Sequence, residues 1–309
     1  MAKRYLDPKA DLTFKKVFGE HPDLVISLLN ALLPFKTQEE EIQSVEYLTP
    51  EMVPDNPLRK NSIVDVRCKD LRGRQFIVEM QMVWSPEFMQ RVMFNSAKAY
   101  VRQLDKKEDY HLLEPVYSLN LVNDVFLNDV PEYYHYYRMV HEKHTEKVID
   151  GLHLVFVELP KFTPHTMKEK KMHVLWLRYL TEIDGYMETV PQELLDNPEI
   201  SKAMEVVEES AFSPEQLLGY DKFWDIIRTE TTLYNSGVRQ GQAKGLEQGL
   251  EEGMKKGRAE GLAEGLEKGH AEGRAEGLKD TARNLKSMGL GIADIQKATG
   301  LSEEDILRL

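Results

Sequence analysis

Two carboxylates stand out by type and spacing. Asp65 lies in Ile63-Val-Asp-Val66, and Glu79 in Ile77-Val-Glu-Met-Gln-Met82, with Gln81 two positions further on. Both segments are rich in β-branched residues, and Asp70-Leu-Arg-Gly73 between them reads as the short loop of a hairpin. Residues 79 and 81 alternate onto one face of a strand. A turn centred on Arg72 sets Asp65 directly opposite Glu79, with Cβ atoms about 5 Å apart. Carboxylates that close repel unless a cation joins them or one keeps its proton. Their Val, Ile and Met neighbours predict partial burial, where an unpaired charge is expensive. A hard divalent ion with oxygen ligands, Mg²⁺ or Mn²⁺, satisfies that arrangement. The plainer reading, a solvated face or ion pairs with Arg67 or Arg74, stays open on spacing alone.

The elements that must position these groups follow from periodicity. Leu12, Phe14, Val17 and Phe18 fall near one face of a helix that starts at Asp11. Pro22 opens a second helix and Pro34 stops it. Ile42 to Leu48, Ser62 to Cys68 and Gln75 to Val83 read as strands. A helix from Pro86 to about Asp105 follows. Val116 to Val122, Tyr133 to Val140 and His153 to Glu158 read as further strands. Helices are expected over Met167 to Leu180, Pro191 to Glu209 and Pro214 to Tyr234.

The order helix, strand, Asp-bearing strand, Glu-x-Gln strand, long helix is that of the PD-(D/E)XK nuclease core. The chain resembles the recombination-promoting nucleases of the Rpn family, also described as transposases, within that superfamily. The segments that carry the resemblance are Asp11-Leu-Thr-Phe-Lys-Lys-Val-Phe18, Ile63-Val-Asp-Val-Arg67, Ile77-Val-Glu-Met-Gln81, Gln90-Arg-Val-Met-Phe-Asn-Ser96 and Glu158-Leu-Pro-Lys-Phe162. Two C-terminal segments, Ala282-Arg-Asn-Leu-Lys-Ser-Met-Gly289 and Ile295-Gln-Lys-Ala-Thr-Gly-Leu-Ser302, also match.

The resemblance implies an α/β fold: a restriction-endonuclease-like mixed sheet flanked by helices, followed by an all-helical C-terminal region. It implies a metal-dependent DNA endonuclease linked to recombination, mobile elements or defence. Asp65 and Glu79 carry over as ligands of Mg²⁺, with Mn²⁺ or Ca²⁺ as alternatives. Gln81 stands where the wider superfamily has Lys. An amide supplies neither a cation nor a base, but it can hydrogen-bond the water or the scissile phosphate. Asp11 is a candidate third acid; a helix N-cap or first-turn role is the competing reading. The alternative function is an inactive nuclease fold kept as an interaction or regulatory module.

Composition sets the outer limits. There are 40 Lys and Arg against 52 Asp and Glu, a net charge of −12, which argues against tight nonspecific nucleic-acid binding by the whole surface. The single cysteine, Cys68, excludes an internal disulfide and a Cys-based zinc cluster, and it fits a cytoplasmic protein. By alternation Cys68 faces away from Asp65, into the core. No apolar run approaches the roughly 20 residues of a membrane span, so no membrane association is expected. His135, His141 and His144 read as surface histidines rather than zinc ligands.

From Gly237 to Gly277 glycine recurs at every fourth position, between helix formers. As a helix this run would extend about 60 Å. Each glycine costs about 1 kcal/mol relative to alanine, so the isolated helix is expected to be weak. The expected organisation is a catalytic domain over 1–235, the repeat over 236–280 as spacer or self-association helix, and a small helical module over 281–309. In that last module, Leu285, Met288, Ile292, Ile295, Leu301 and Ile306 are the expected apolar positions. Its second helix opens on Glu303, Glu304 and Asp305, which repel phosphate, so protein rather than DNA is its expected partner. DNA is the expected partner of the catalytic domain, and a homo-oligomer through the C-terminal helices is expected.

Overall fold

Asp70 fixes the hairpin on which the fold is registered. Its Oδ1 accepts from the backbone N–H of Arg72 and of Arg74, each at 3.0 Å, and its Oδ2 accepts from Arg74 Nε at 2.7 Å. Gly73 takes φ of 88°, a conformation that favours glycine. A computed structural model describes residues 4–52, 62–105, 108–164, 171–185, 187 and 189–309.

The elements in chain order begin with helices α1 (Asp11–Glu20) and α2 (Pro22–Leu32), then strands β1 (Val45–Tyr47), β2 (Glu51–Met52), β3 (Ser62–Ile63), β4 (Val66–Asp70) and β5 (Gln75–Gln81). They continue as α3 (Glu87–Val101), β6 (Val116–Val122), β7 (Tyr134–His141) and β8 (His144–Glu158). Helices complete the chain: α4 (Met172–Glu182), α5 (Gln192–Leu195), α6 (Pro198–Val206), α7 (Pro214–Ser287), α8 (Ile292–Thr299) and α9 (Glu303–Arg308). The chain forms two compact units, residues 1–232 and 233–309, with the division inside α7.

The first unit is built on a six-stranded mixed sheet of order β1-β4-β5-β6-β8-β7. β5, β6 and β8 are parallel, and β4 and β7 flank them antiparallel. One face is dry. Val66, Cys68, Phe76, Val78, Leu119, Leu121, Val155 and Val157 pack there against Phe14, Phe18, Leu24, Leu28 and Trp176 of α1, α2 and α4. Fully burying side chains of this size contributes about 1.5–3 kcal/mol each. The opposite face packs on α3 through Ile77, Val116 and Ala99, and through Phe88, Val92, Val122 and Phe156. The α/β class and the flanked mixed sheet expected from the sequence are what the structure has.

Several elements differ from their sequence reading. The strand expected over Ser62 to Cys68 is broken at Val64 and Asp65: β3 pairs with β2, whereas β4 pairs with β1 and β5. The helix expected over Pro191 to Glu209 divides into α5 and α6, because Pro198 starts a new helix capped by Asn197 Oδ1 on the Ile200 amide at 3.0 Å. β8 begins nine residues before His153: its polar first half, exposed to solvent, pairs with β7 and carries no apolar alternation. α3 stops at Val101 rather than near Asp105. Met167 to Lys170, expected to open α4, lie outside the described residues.

The second unit holds the rest of α7 with α8 and α9. The helix continues through all the repeat glycines, and a Cβ built on any of Gly237 to Gly277 would meet nothing within 4 Å. At its end Ala282, Ile295 and Ile306 form a small core with Leu285, Ile292, Leu301 and Leu309 packed on it. Gly300 at φ of 74° turns the chain, and Ser302 caps α9 by accepting from the Asp305 amide at 3.2 Å. Met288, expected in this core, is 75% exposed instead.

Candidate active site

The hairpin register is Val66↔Val78, Arg67↔Ile77, Cys68↔Phe76 and Lys69↔Gln75. Continued by one pair, it sets Asp65 opposite Glu79, the apposition read from a turn centred on Arg72. Asp65 stands at the bend where β4 begins, and its Oδ2 accepts from the Met80 amide at 2.8 Å. Glu79 is inside β5 and only 4% exposed. Its face is the one α3 covers, and α3 returns antiparallel over the carboxyl end of β5. Four helical residues rise about 6 Å and two strand residues about 6.6 Å, so Arg91 and Asn95 come to lie beside Gln81 and Glu79 in turn.

The contacts follow that match. Asn95 Nδ2 donates to Glu79 Oε1 at 3.0 Å, and Ser62 Oγ donates to Asn95 Oδ1. Arg91 Nη2 donates to Gln81 Oε1 at 2.6 Å and lies 3.5 Å from Glu79 Oε2. Gln81 Nε2 donates to the Val83 carbonyl at 2.6 Å. On the other side, Lys15 Nζ pairs with Asp11 Oδ1 at 2.6 Å and stands 3.9 Å from Asp65 Oδ1.

Burial raises the pKa of Asp65; the Met80 amide and Lys15 oppose it, and the Asp11 charge adds to it. Burial likewise raises that of Glu79, against Asn95 and Arg91, with the Asp65 charge adding to it. Among the described residues each carboxylate keeps one oxygen, Asp65 Oδ1 and Glu79 Oε2, whose only polar contact is a long one. A buried and a half-buried carboxylate that repel, each with an under-used oxygen, fit a hard divalent cation in donor chemistry. Neither is neutralised by the arginines weighed from the sequence: Arg67 donates to Gln75 Oε1 at 2.8 Å, and Arg74 is held by Asp70.

Asp11 sits in the first turn of α1 with its side chain 50% exposed, tied to Lys15. It reaches Asp65 as a charge and not as a contact, and no group of three His, Cys, Asp or Glu able to hold a metal gathers among the described residues. Lys16 is engaged elsewhere, donating to the Ala211 carbonyl at 2.9 Å and lying over the Phe212 ring. Cys68 is fully buried on the dry face, and burial pushes its thiol up to about 12, which removes it as a nucleophile. Of the histidines read as surface residues, His141 and His144 are exposed at the β7–β8 turn. His135 is not: it is buried against Glu158, Nε2 to Oε1 at 3.5 Å.

Residues 8–228 match the PD-(D/E)XK nuclease family transposases. The chain belongs to this family. No curated protein and no solved structure matches it. Members of the PD-(D/E)XK superfamily are nucleases that act on DNA and generally use divalent metals. Within that family frame, Arg91 and Asn95 are the residues the sequence reading passed over. They lie in a segment, Gln90 to Ser96, that carries the resemblance. Their signal was available: two polar residues four apart on the helix that follows the Glu-x-Gln strand, a spacing that puts both on one helical face.

Proposed function

We propose that the chain is a divalent-metal-dependent DNA endonuclease of the Rpn type, with Asp65 and Glu79 holding the metal. The observation that carries this reading is the pair itself: a buried and a half-buried carboxylate, raised in pKa first by burial and then by neighbouring acidic charge, each with an oxygen that has no close partner among the described residues. The bound ion, Mg²⁺ or Mn²⁺, would acidify a water and offset charge on the phosphate. The protein's own part is positional. The Met80 amide and Asn95 each fix one oxygen of a carboxylate, so that the other faces the substrate. In the reaction the water oxygen bonds to phosphorus and the bond from phosphorus to the leaving sugar oxygen breaks. The water gives up its proton to solvent, and the leaving oxygen takes one.

A link to recombination or mobile elements follows from the Rpn likeness. The organisation that goes with it is a catalytic domain over 1–235, a repeat over 236–280 and a module over 281–309. The repeat acts in self-assembly: Leu246, Leu250, Met254, Leu262 and Leu266 are all more than half exposed along α7, more apolar surface than a solitary helix needs. The test of the function is nicking of supercoiled plasmid by the purified chain with Mg²⁺, Mn²⁺ or EDTA. Metal-dependent nicking supports the reading; a chain inactive with every divalent metal leaves the interaction-module alternative.

A further inference from the structure

Gln81 is the residue that the metal reading leaves without chemistry. It occupies the place where the superfamily expects a cation, yet both ends of its amide are already engaged. The direction of that amide is settled by its partners: arginine only donates, so Oε1 must face Arg91, and the Val83 carbonyl only accepts, so Nε2 must face it. A water-positioning role would require one of these bonds to break. What the amide does instead is hold a guanidinium beside Glu79.

We propose that Arg91, reaching across from α3, is the cation of this site: its guanidinium takes a non-bridging oxygen of the scissile phosphate, and Gln81 is the positioning residue that aims it. This rests on the nuclease reading above. Arg91 is anchored in two further ways. Its Cζ lies 4.8 Å from the centroid of the Phe88 ring, itself buried at 1%, and its Nη2 stands 3.5 Å from Glu79 Oε2. Among the described residues both polar contacts run through Nη2, while the side chain is 49% exposed, which leaves the rest of the fork for a second acceptor. A planar fork of this kind matches phosphate oxygens two at a time. A neutral amide at position 81 is then required rather than tolerated, because a lysine there would set one cation against another. Arginine from the helix and glutamine on the strand together do what a single strand lysine would do.

Four variants are compared with the wild type by plasmid nicking in Mg²⁺: Arg91→Ala, Arg91→Lys, Gln81→Lys and Gln81→Lys/Arg91→Ala. Circular dichroism confirms folding, with Arg91→Gln as substitute if the alanine variant unfolds. Loss of one electrostatic donor predicts a fall of about 10²–10³-fold for Arg91→Ala, with Arg91→Lys between it and wild type. Gln81→Lys alone should lose at least about tenfold through repulsion, and the double variant should exceed Arg91→Ala by about tenfold, a coupling that independent residues do not show. DNA binding without divalent metal supplies a readout that a merely structural role would not move. The salt dependence of affinity should flatten by about one unit of slope in Arg91→Ala. Arg91→Ala nicking within about threefold of wild type, while Asp65→Ala is inactive, overturns this inference and leaves the metal site standing. An unchanged salt slope, or a double variant no better than Arg91→Ala, also overturns it. A wild type that neither nicks nor binds DNA removes the nuclease reading and this one with it.

Discussion

Glu79 and Glu158 make an instructive pair. They lie on the same face of the sheet, on strands separated only by β6, and both are buried, at 4% and 0% exposure. Yet Glu158 is ion-paired within the protein. Its Oε1 accepts from the Leu127 amide at 3.0 Å and lies 3.5 Å from His135, while its Oε2 pairs with Lys161 at 2.5 Å. Lys161 in turn donates to the carbonyls of Leu127 and Val130, each at 2.6 Å. The whole cluster is an internal clamp on the loop between β6 and β7. Glu79 has one firm bond, to Asn95, and one long contact, to Arg91. Burial of a carboxylate is costly in both places; at Glu158 an ammonium 2.5 Å away offsets the charge although Oε2 makes no hydrogen bond, and at Glu79 the nearest cation among the described residues stands 3.5 Å off. Burial alone does not mark a functional carboxylate. What separates the two is the distance to the nearest countercharge.

Substitution of the two glutamates should have opposite consequences. Glu79→Ala should lower metal-dependent nicking by about 10³-fold or more, the loss of roughly 4 kcal/mol of transition-state stabilisation. Its melting temperature without metal should hold or rise, since a repelling, desolvated charge is gone. Glu158→Ala should do the reverse. Leaving Lys161, largely buried, with two carbonyls but no countercharge should cost about 3 kcal/mol of stability, while the fraction that stays folded keeps its activity. Thermal melts alongside nicking rates normalised to folded protein check both. Equal effects of the two substitutions on both readouts would erase the distinction.

A smaller effect is expected one step back, at the turn that sets the register. Gly73→Val must force a branched side chain into positive φ, with a Cβ already 3.3 Å from Glu114 Cγ, and should cost about 1–3 kcal/mol. If the turn relaxes by a shift of register, Asp65 leaves its place opposite Glu79, and activity falls further than stability does. Activity that merely tracks the melting temperature would show that the register is held elsewhere. The smallest effect on the site should come from deleting residues 237–280. Nicking per catalytic unit should stay within a few fold, roughly the scatter of a remote change, while light scattering reports a lower assembly state. Identical monomeric masses before and after the deletion would leave the repeat as a spacer.

How much of this was legible in the sequence depends on how local the cause was. The apposition of Asp65 and Glu79 could be read because Asp70-Leu-Arg-Gly73 is short and turn-forming, so that register follows from counting. The dry face could be read from alternation in Gln75–Gln81 and Val116–Val122. Asn95 and Arg91 could not be given a role, because their partners lie on another element and only the packing of α3 on β5 brings them together. Glu158 was one letter in a matching motif; its pairing depends on His135 and Lys161, which arrive from β7 and from beyond the strand's end. The polar half of β8 escaped because a hairpin exposed on both faces leaves no periodic trace. The break before α6 was carried by Pro198, a signal overlooked inside a run of helix formers.

Whether Asp65 and Glu79 form a divalent-metal centre is decided by calorimetric titration of the wild type, Asp65→Ala and Glu79→Ala with Mn²⁺. A metal held by both carboxylates should give saturable binding by the wild type that is lost or strongly weakened in both variants, each still folded. Undiminished Mn²⁺ binding by either folded variant would contradict it.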